Sequence, residues 1–379
     1  MLASHGGYLR AMQEHAPIFE GLKVLELASV LAGPSVGQFF AELGAQVTKV
    51  ENPNTNGDVT RSWHGASETP TNDRPAYFTA VNWGKQSILI DMRQAEGRAQ
   101  VHELAGEADV VIASYKPGDA EKLGVDYTTL RALNPRLIYG HITSYGPNNP
   151  RAGFDAIIQA ESGFTFMNGH PDGPPTKMPV ALTDVLAAHH LKEGILVALI
   201  RRMQTGQGSY VPVSLIQAAI SSLANQATNW LVAGKVPQRL GNEHPNIVPY
   251  GSIFGTSDGH YITLAVGNDA QFGKLCQILG HAEWAADARF ASNNQRVNNK
   301  DALLPLLIEE IARWKKADLL ARLEEQRVPA GAVNRLPEVF AMPEAAEILL
   351  KDEGSGLTGI RNFVAGKEVA SLSPPPKLG

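Results

Sequence analysis

A chain of 379 residues with 44% hydrophobic and 19% charged side chains is long enough to bury a full core, and nothing in this composition calls for long disorder. A formal net charge of -5 leaves no basic field to gather a nucleic-acid backbone or an anionic membrane, so neither is expected as a partner and small solutes are. The single cysteine, Cys276, excludes an internal disulfide and a cysteine-based metal site; among Phe272, Leu275, Ile278 and Leu279 it fits a packed helix face.

The N-terminus, with Ser4, His5, Arg10, Glu14 and His15, lacks the apolar core of a signal peptide. Residues 24–28 (VLELA) then form a short apolar strand, a Gly33-Pro34 turn opens a helix over 35–43, and Gly44 closes it. Further strands are predicted at 47–51, 87–91, 110–113 and 137–142, with a helix over 96–107 between two of them. Strands alternating with helices imply an α/β fold with a parallel sheet covered on both faces. The layout is Rossmann-like, but the first turn, residues 28–37 (ASVLAGPSVG), lacks the dinucleotide glycines, and Val30 and Leu31 would crowd a pyrophosphate.

Past Arg151 the pattern changes. Residues 184–200 predict a helix that is apolar nearly all round after Leu191, and residues 213–233 predict another, with a tight turn at 205–208 (TGQG) between them. The apolar run at 194–200 stops at Arg201 and Arg202, too soon to span a bilayer, so the cytoplasm is the expected location. From Tyr250 a β-hairpin over 252–255 and 261–266, turning at Ser257-Asp258-Gly259, opens a second domain. Helices follow to about residue 326, then a strand at 328–333 and an irregular proline-rich tail at 372–379.

Seven blocks carry a resemblance: VLELA at 24–28 with AGP at 32–34, AELGA at 41–45 with VE at 50–51, GDVTR at 57–61, SILID at 87–91, NPRLI at 134–138, FDAIIQ at 154–159 and TGQG at 205–208. In order, they resemble the blocks of class III CoA-transferases, relatives of formyl-CoA and carnitine CoA-transferases that include the 2-methylacyl-CoA racemases. The resemblance implies a large parallel-sheet, coenzyme A-binding domain (1–225 and 340–379), a small α+β domain with its linkers (226–339), and an interlocked homodimer.

It also implies a nucleophile. In that family an aspartate precedes the long apolar helix leading to the Thr-Gly-x-Gly turn, and here that residue is Asp184. By residue type alone, Asp184 would be a helix cap. Transfer of coenzyme A between acids must conserve thioester energy, so an enzyme carboxylate, and not water, attacks the acyl-CoA. The implied course is an aspartyl anhydride followed by an aspartyl-CoA thioester, with no metal or redox cofactor.

Family positions carried across place Val30 and Leu31 beside the thioester, and Ile90, Arg93, Ser114, Tyr115 and Lys122 at the nucleotide end of coenzyme A. Arg61 is a further binding candidate, or it pairs with Asp58. The racemases have a histidine where this chain has Phe154, and a phenyl ring cannot take a proton; Asp269 falls where their opposing acid lies. The racemase reading therefore ranks behind the transferase, and a non-catalytic coenzyme A-binding subunit stands as a reading of another class. Asn52 and Leu31 replace an arginine and a glutamine of formyl-CoA transferase, which argues against formyl specificity. The segment 241–246 (GNEHPN) takes the place of that enzyme's glycine-rich lid, so Asn242, His244 and Asn246 are candidates to meet an acceptor carboxylate. The surrounding pattern resembles relatives that use dicarboxylic or hydroxy acids with a succinyl-CoA-like donor.

Overall fold

The computed structural model describes residues 17–69, 72–366 and 369–379; Ser4, His5, Arg10, Glu14 and His15 lie outside the described residues. The chain divides into two compact units, the first made of Met1–Phe164, Lys177–Gly234 and Glu347–Gly379, the second of Thr165–Thr176 and Lys235–Ala346.

In the first unit β1 (Lys23–Leu27), β2 (Gln46–Glu51), β3 (Lys85–Leu89), β4 (Val110–Ala113), β5 (Ile138–Thr143) and β6 (Ser209–Ser214) form one six-stranded sheet in the order β3-β2-β1-β4-β5-β6. Every neighbouring pair is parallel. Runs rich in Val, Ile and Leu suit such strands because both faces are covered; β4 and β5 are buried along their whole length. Alternation along β4 sends Val110 and Ile112 into one core and Val111 and Ala113 into the other.

Helices α1 (Ala32–Glu42), α2 (Ala95–Glu107), α3 (Asp155–Glu161) and α4 (Leu182–Thr205) cover this sheet. The first core joins Val36 and Phe40 of α1 and Leu191 and Ile195 of α4 to Val47, Val110 and Ile138. The second joins Val101 and Ala105 of α2 to Leu25, Val111 and Tyr139. Each fully buried Leu or Ile among them contributes about 1.5–3 kcal/mol. The close seat of α4 depends on Gly140 in β5, where a Cβ would stand 2.9 Å from the Ile195 Cδ1.

Five of the six strands lie within a few residues of their predicted places. β6 was not foreseen: the helix expected over 213–233 is instead the end of β6, then α5 (Leu215–Ser221) and α6 (Ala224–Leu231). Ser214 ends the strand and caps α5 by accepting from the Gln217 N–H at 3.3 Å, and the helices break where Ala224 takes a φ of +47°. Pro212 is tolerated because β6 is an edge strand. β10 (Leu349–Asp352) and β11 (Leu357–Ile360) add an antiparallel hairpin to this unit, and residues 372–379 carry no regular structure.

The second unit contains the expected hairpin, β7 (Tyr250–Gly255) with β8 (Tyr261–Ala265), to which β9 (Ala330–Ala332) pairs antiparallel. The strand expected over 328–333 is thus trimmed at both ends. Phe254, Ile262, Leu264, Phe272, Leu275, Leu307 and Leu323 form its core, and Cys276 is fully buried among them. No helix among the described residues is long and apolar enough to cross a membrane.

Candidate active site

The strand order reverses between β1 and β4, and in an open parallel sheet the carboxyl ends of the strands diverge there to leave a crevice. β1 runs out at Leu27 and turns through residues 28–31 into α1, while β4 runs out into Ser114. The Ser29 N–H donates to the Ser114 Oγ at 3.3 Å and ties the two strand ends together. One cleft there is lined by residues 29–33, Ser114 to Pro117, Ile142 to Ser144, Arg151 to Phe154, Asp184 and Leu215. An adjoining cleft shares Ser29, Ser114 and Tyr115 and continues along Glu51, Asn52, Asp58, Ile90, Asp91, Met92 and Arg93.

Asp184 sits in the first turn of α4 without serving as its cap. Ala181 holds the N-cap position and offers no side-chain acceptor. The cap comes from Asp155 in α3, whose Oδ1 accepts from both the N–H and the Oγ1 of Thr183 at 2.9 Å, while its Oδ2 accepts from the Gln159 Nε2 at 2.8 Å. The capping role expected of Asp184 thus falls to a residue that only the fold brings there. Asp184 itself is 9% exposed, and among the described residues no group donates a hydrogen bond to its carboxylate. Burial first, and the neighbouring charge of Asp155 second, push its carboxyl up to about 7. The positive end of α4 works in the opposite sense and favours the anion. A poorly solvated carboxylate facing a cleft is a group suited to attack an electrophilic carbonyl.

Across the cleft the chain is strained. Val30 has a φ of +73°, a left-handed conformation costly for a β-branched residue, of the order of 1 kcal/mol or more. Asp58 helps hold it there by accepting from the Val30 N–H at 3.3 Å.

Of the residues singled out by sequence, Val30, Leu31, Ser114, Tyr115, Phe154 and Asp184 line the first cleft. Ile90 and Arg93 line the second with Ser114 and Tyr115. The Arg93 guanidinium is paired with Asp91 at 3.0 Å. Arg61 lies behind the wall: it forms a fork with Glu51 at 2.6 and 2.8 Å, stacks over Phe78 and donates to the carbonyls of Asp73 and Pro376. Its expected partner Asp58 is instead paired with Lys49 at 2.9 Å, because Asp58 points inward from the cap of the 3-10 turn Val59–Ser62. Lys122 is paired with Asp119 on the surface and is not among the lining residues of either cleft.

Asn242, His244 and Asn246 belong to the second unit. There the His244 Nδ1 accepts from the Asn246 N–H, its ring packs edge-on to Tyr250, and the Asn246 carbonyl accepts from Asn293. Asp269 opens the helix Asp269–Ile278 and pairs with the buried Arg296 at 2.9 Å, the contact of a structural acid.

Two cations escaped the sequence reading. Lys116 and Arg151 both line the cleft that holds Asp184. Lys116 could have been found from its place directly after the central strand β4, at the reversal of strand order. Arg151 stacks over the Tyr145 ring and shares two of its N–H groups with Glu161, which leaves the others free to donate.

The sequence matches the profile of CoA-transferase family III over residues 19–379. It is 42% identical to the succinate–glutarate CoA-transferase of Agrobacterium fabrum, over 97% of this chain and 94% of that protein. It is 35% identical to the succinyl-CoA:glutarate CoA-transferase of Mus musculus, over 95% of this chain and 84% of that one. Among solved structures, a CAIB/BAIF family protein from Brucella suis superposes with a TM-score of 0.85 at 43% identity, covering 96% of this chain and 97% of the other.

Proposed function

Since the chain belongs to CoA-transferase family III, we propose that it moves coenzyme A from a succinyl-CoA-like donor to a small dicarboxylic acid through acyl adducts on Asp184. The observation that carries this reading is the buried carboxylate of Asp184, free of protein donors among the described residues and set in the lining of the cleft. Similarity to transferases of succinate and glutarate supports the choice of acids, and Lys116 and Arg151 in the same cleft would suit a second carboxylate.

In this reading an Asp184 oxygen attacks the thioester carbonyl. The C–S bond breaks, coenzyme A leaves as a thiolate, and a mixed anhydride remains. The thiolate then attacks the aspartyl carbonyl, which expels the donor acid and leaves an aspartyl-CoA thioester. The acceptor carboxylate attacks that carbonyl in turn, releasing the thiolate, which takes the acceptor's acyl group and restores Asp184. Both intermediates are open to hydrolysis, so burial of Asp184 serves to keep water from them. Ile90, Arg93, Ser114 and Tyr115, in the adjoining cleft, would receive the nucleotide portion. Phe154, which has no proton to exchange, supports transfer over racemisation.

Incubating the enzyme with succinyl-CoA and hydroxylamine tests the reading. Intact-mass analysis should show an adduct that peptide mapping places on Asp184, and Asp184→Ala should give neither adduct nor transfer. An adduct elsewhere, or turnover by the alanine variant, would refute it. We also propose a cytoplasmic, interlocked homodimer. Val197, Ile200 and Met203 of α4, with Trp230 and Leu231 of α6 and the adjoining Val232, leave apolar side chains in solvent, which supports burial against a second copy.

A further inference from the structure

In the cleft wall lies a set of charged side chains that take no part in the steps above, two of which, Lys49 and Asp58, also border the second cleft. Glu26 and Lys49 are directly in register on β1 and β2, and Lys85 stands on β3 opposite Val47, two residues along from Lys49 on the same face. All three are buried, and Asp58 closes the set from its loop. Lys49 pairs with Glu26 and with Asp58 at 2.9 Å, and Lys85 pairs with Glu26 at 2.7 Å. Two cations and two anions balance, which is the condition for keeping such charges away from water.

These side chains also grip the backbone of the wall. The Lys49 Nζ donates to the Ala28 carbonyl at 2.8 Å, Asp58 accepts from the Val30 N–H at 3.3 Å, and the Lys85 Nζ donates to the Pro34 carbonyl at 2.9 Å. The grips fall before, within and after the strained turn, and the last is on the first turn of α1. Helix α1 passes close enough to require Gly37, where a Cβ would stand 1.9 Å from a Glu26 oxygen. Its own N-terminus carries no side-chain cap and no acidic residue in the first turn, so nothing in the helix offsets its positive end.

We propose that Glu26, Lys49, Asp58 and Lys85 are positioning residues for the transfer reaction: together they hold Val30 in its left-handed conformation and so present the first turn of α1 to the charge that develops on the thioester oxygen in the Asp184 cleft. An apolar core of equal volume would hold the sheet as well, but it could not fix an N–H and two carbonyls in direction. Fixed donors at the site of developing charge act chiefly on kcat, because they gain strength in the transition state.

This inference rests on the Asp184 cleft being the place of transfer, so Asp184→Ala is assayed alongside. The deciding comparison is Asp58→Asn against Asp58→Ala in the full-length enzyme, with succinyl-CoA as donor and glutarate as acceptor, each made also in a Val30→Gly background. Glycine adopts the left-handed conformation without steric cost, so there the grip on the turn is less needed. Asp58→Ala should lower kcat by about tenfold or more with the donor KM little changed, and Asp58→Asn, which keeps an acceptor oxygen for the Val30 N–H and loses the charge, should fall between it and wild type. In the Val30→Gly background the loss caused by Asp58→Ala should shrink. A loss of equal size in both backgrounds, or one confined to KM, would overturn the proposal. An active Asp184→Ala would instead overturn the reading of the cleft itself.

Discussion

Replacing Asp184 by Asn keeps the shape of the side chain and removes its charge, and the structure sets both sign and size of the result. The carboxyl ordinarily titrates at 3.8 and is raised to about 7 in the fold, first by burial and then by Asp155. Between those values the folded state holds a proton that the unfolded state has released, so stability falls as pH rises through the window and levels off above about 7. At about 1.4 kcal/mol for each tenfold gain in proton affinity, the rise amounts to roughly 4 kcal/mol, an upper bound on the cost of the buried charge at pH 8. The unfolding entropy of 379 residues is near 0.8 kcal/mol/K, so this is worth about 5 °C in thermal midpoint. Midpoints of wild type and Asp184→Asn, measured from pH 4 to 9, should therefore separate in favour of the variant between pH 4 and 7 and run parallel above, while transfer is lost throughout. A difference independent of pH, or one that shrinks as pH rises, would refute the account of Asp184 as a desolvated carboxylate.

The same titration should appear in the wild-type kinetics: kcat/KM should rise with pH up to about 7 and level off, since the nucleophile must be ionised. Asp155→Asn retains an acceptor for Thr183 and removes the neighbouring charge, so it should move that limb to lower pH, and an unmoved limb would exclude Asp155 as a cause. Gly140→Ala should destabilise the chain by about 1–3 kcal/mol through its contact with the Ile195 Cδ1, and Ile195→Val, which removes that atom, should recover part of the loss in a double-mutant cycle by urea unfolding. With a 2-methylacyl-CoA in heavy water the enzyme should show no α-proton exchange by NMR, and exchange at rates near those of transfer would revive the racemase reading.

What the sequence discloses of this molecule follows from which interactions are local. β1 and β4 are largely apolar runs because parallel strands are buried on both faces, and so they can be seen without the fold. β6 could not: Ser209, Tyr210 and Pro212 have no strand pattern until β5 stands beside them, with Tyr139 and His141 in register with Tyr210 and Pro212. Asp184 was legible as a carboxylate at the start of a buried helix. Its freedom from capping was not, because the cap is Asp155 in another helix.

The charges in the cleft wall were the least legible part. Glu26 in VLEL, Lys49 in VTKV and Lys85 before a strand each resemble solvated residues, yet a charge placed inside an apolar strand of a doubly covered sheet has no route to water. It must therefore find a partner at the same height on the next strand, and the register of β1 with β2 supplies one for Glu26 in Lys49. Such a set gains little stability over apolar residues of the same volume, because desolvation offsets the attraction. What it adds is direction at the Ala28 carbonyl, the Val30 N–H and the Pro34 carbonyl, and that direction is spent at the one end of the sheet where strand order reverses and Asp184 faces the cleft. Charges retained at no clear gain in stability, and joined to strained backbone beside a nucleophile, are more simply explained by the reaction than by the fold.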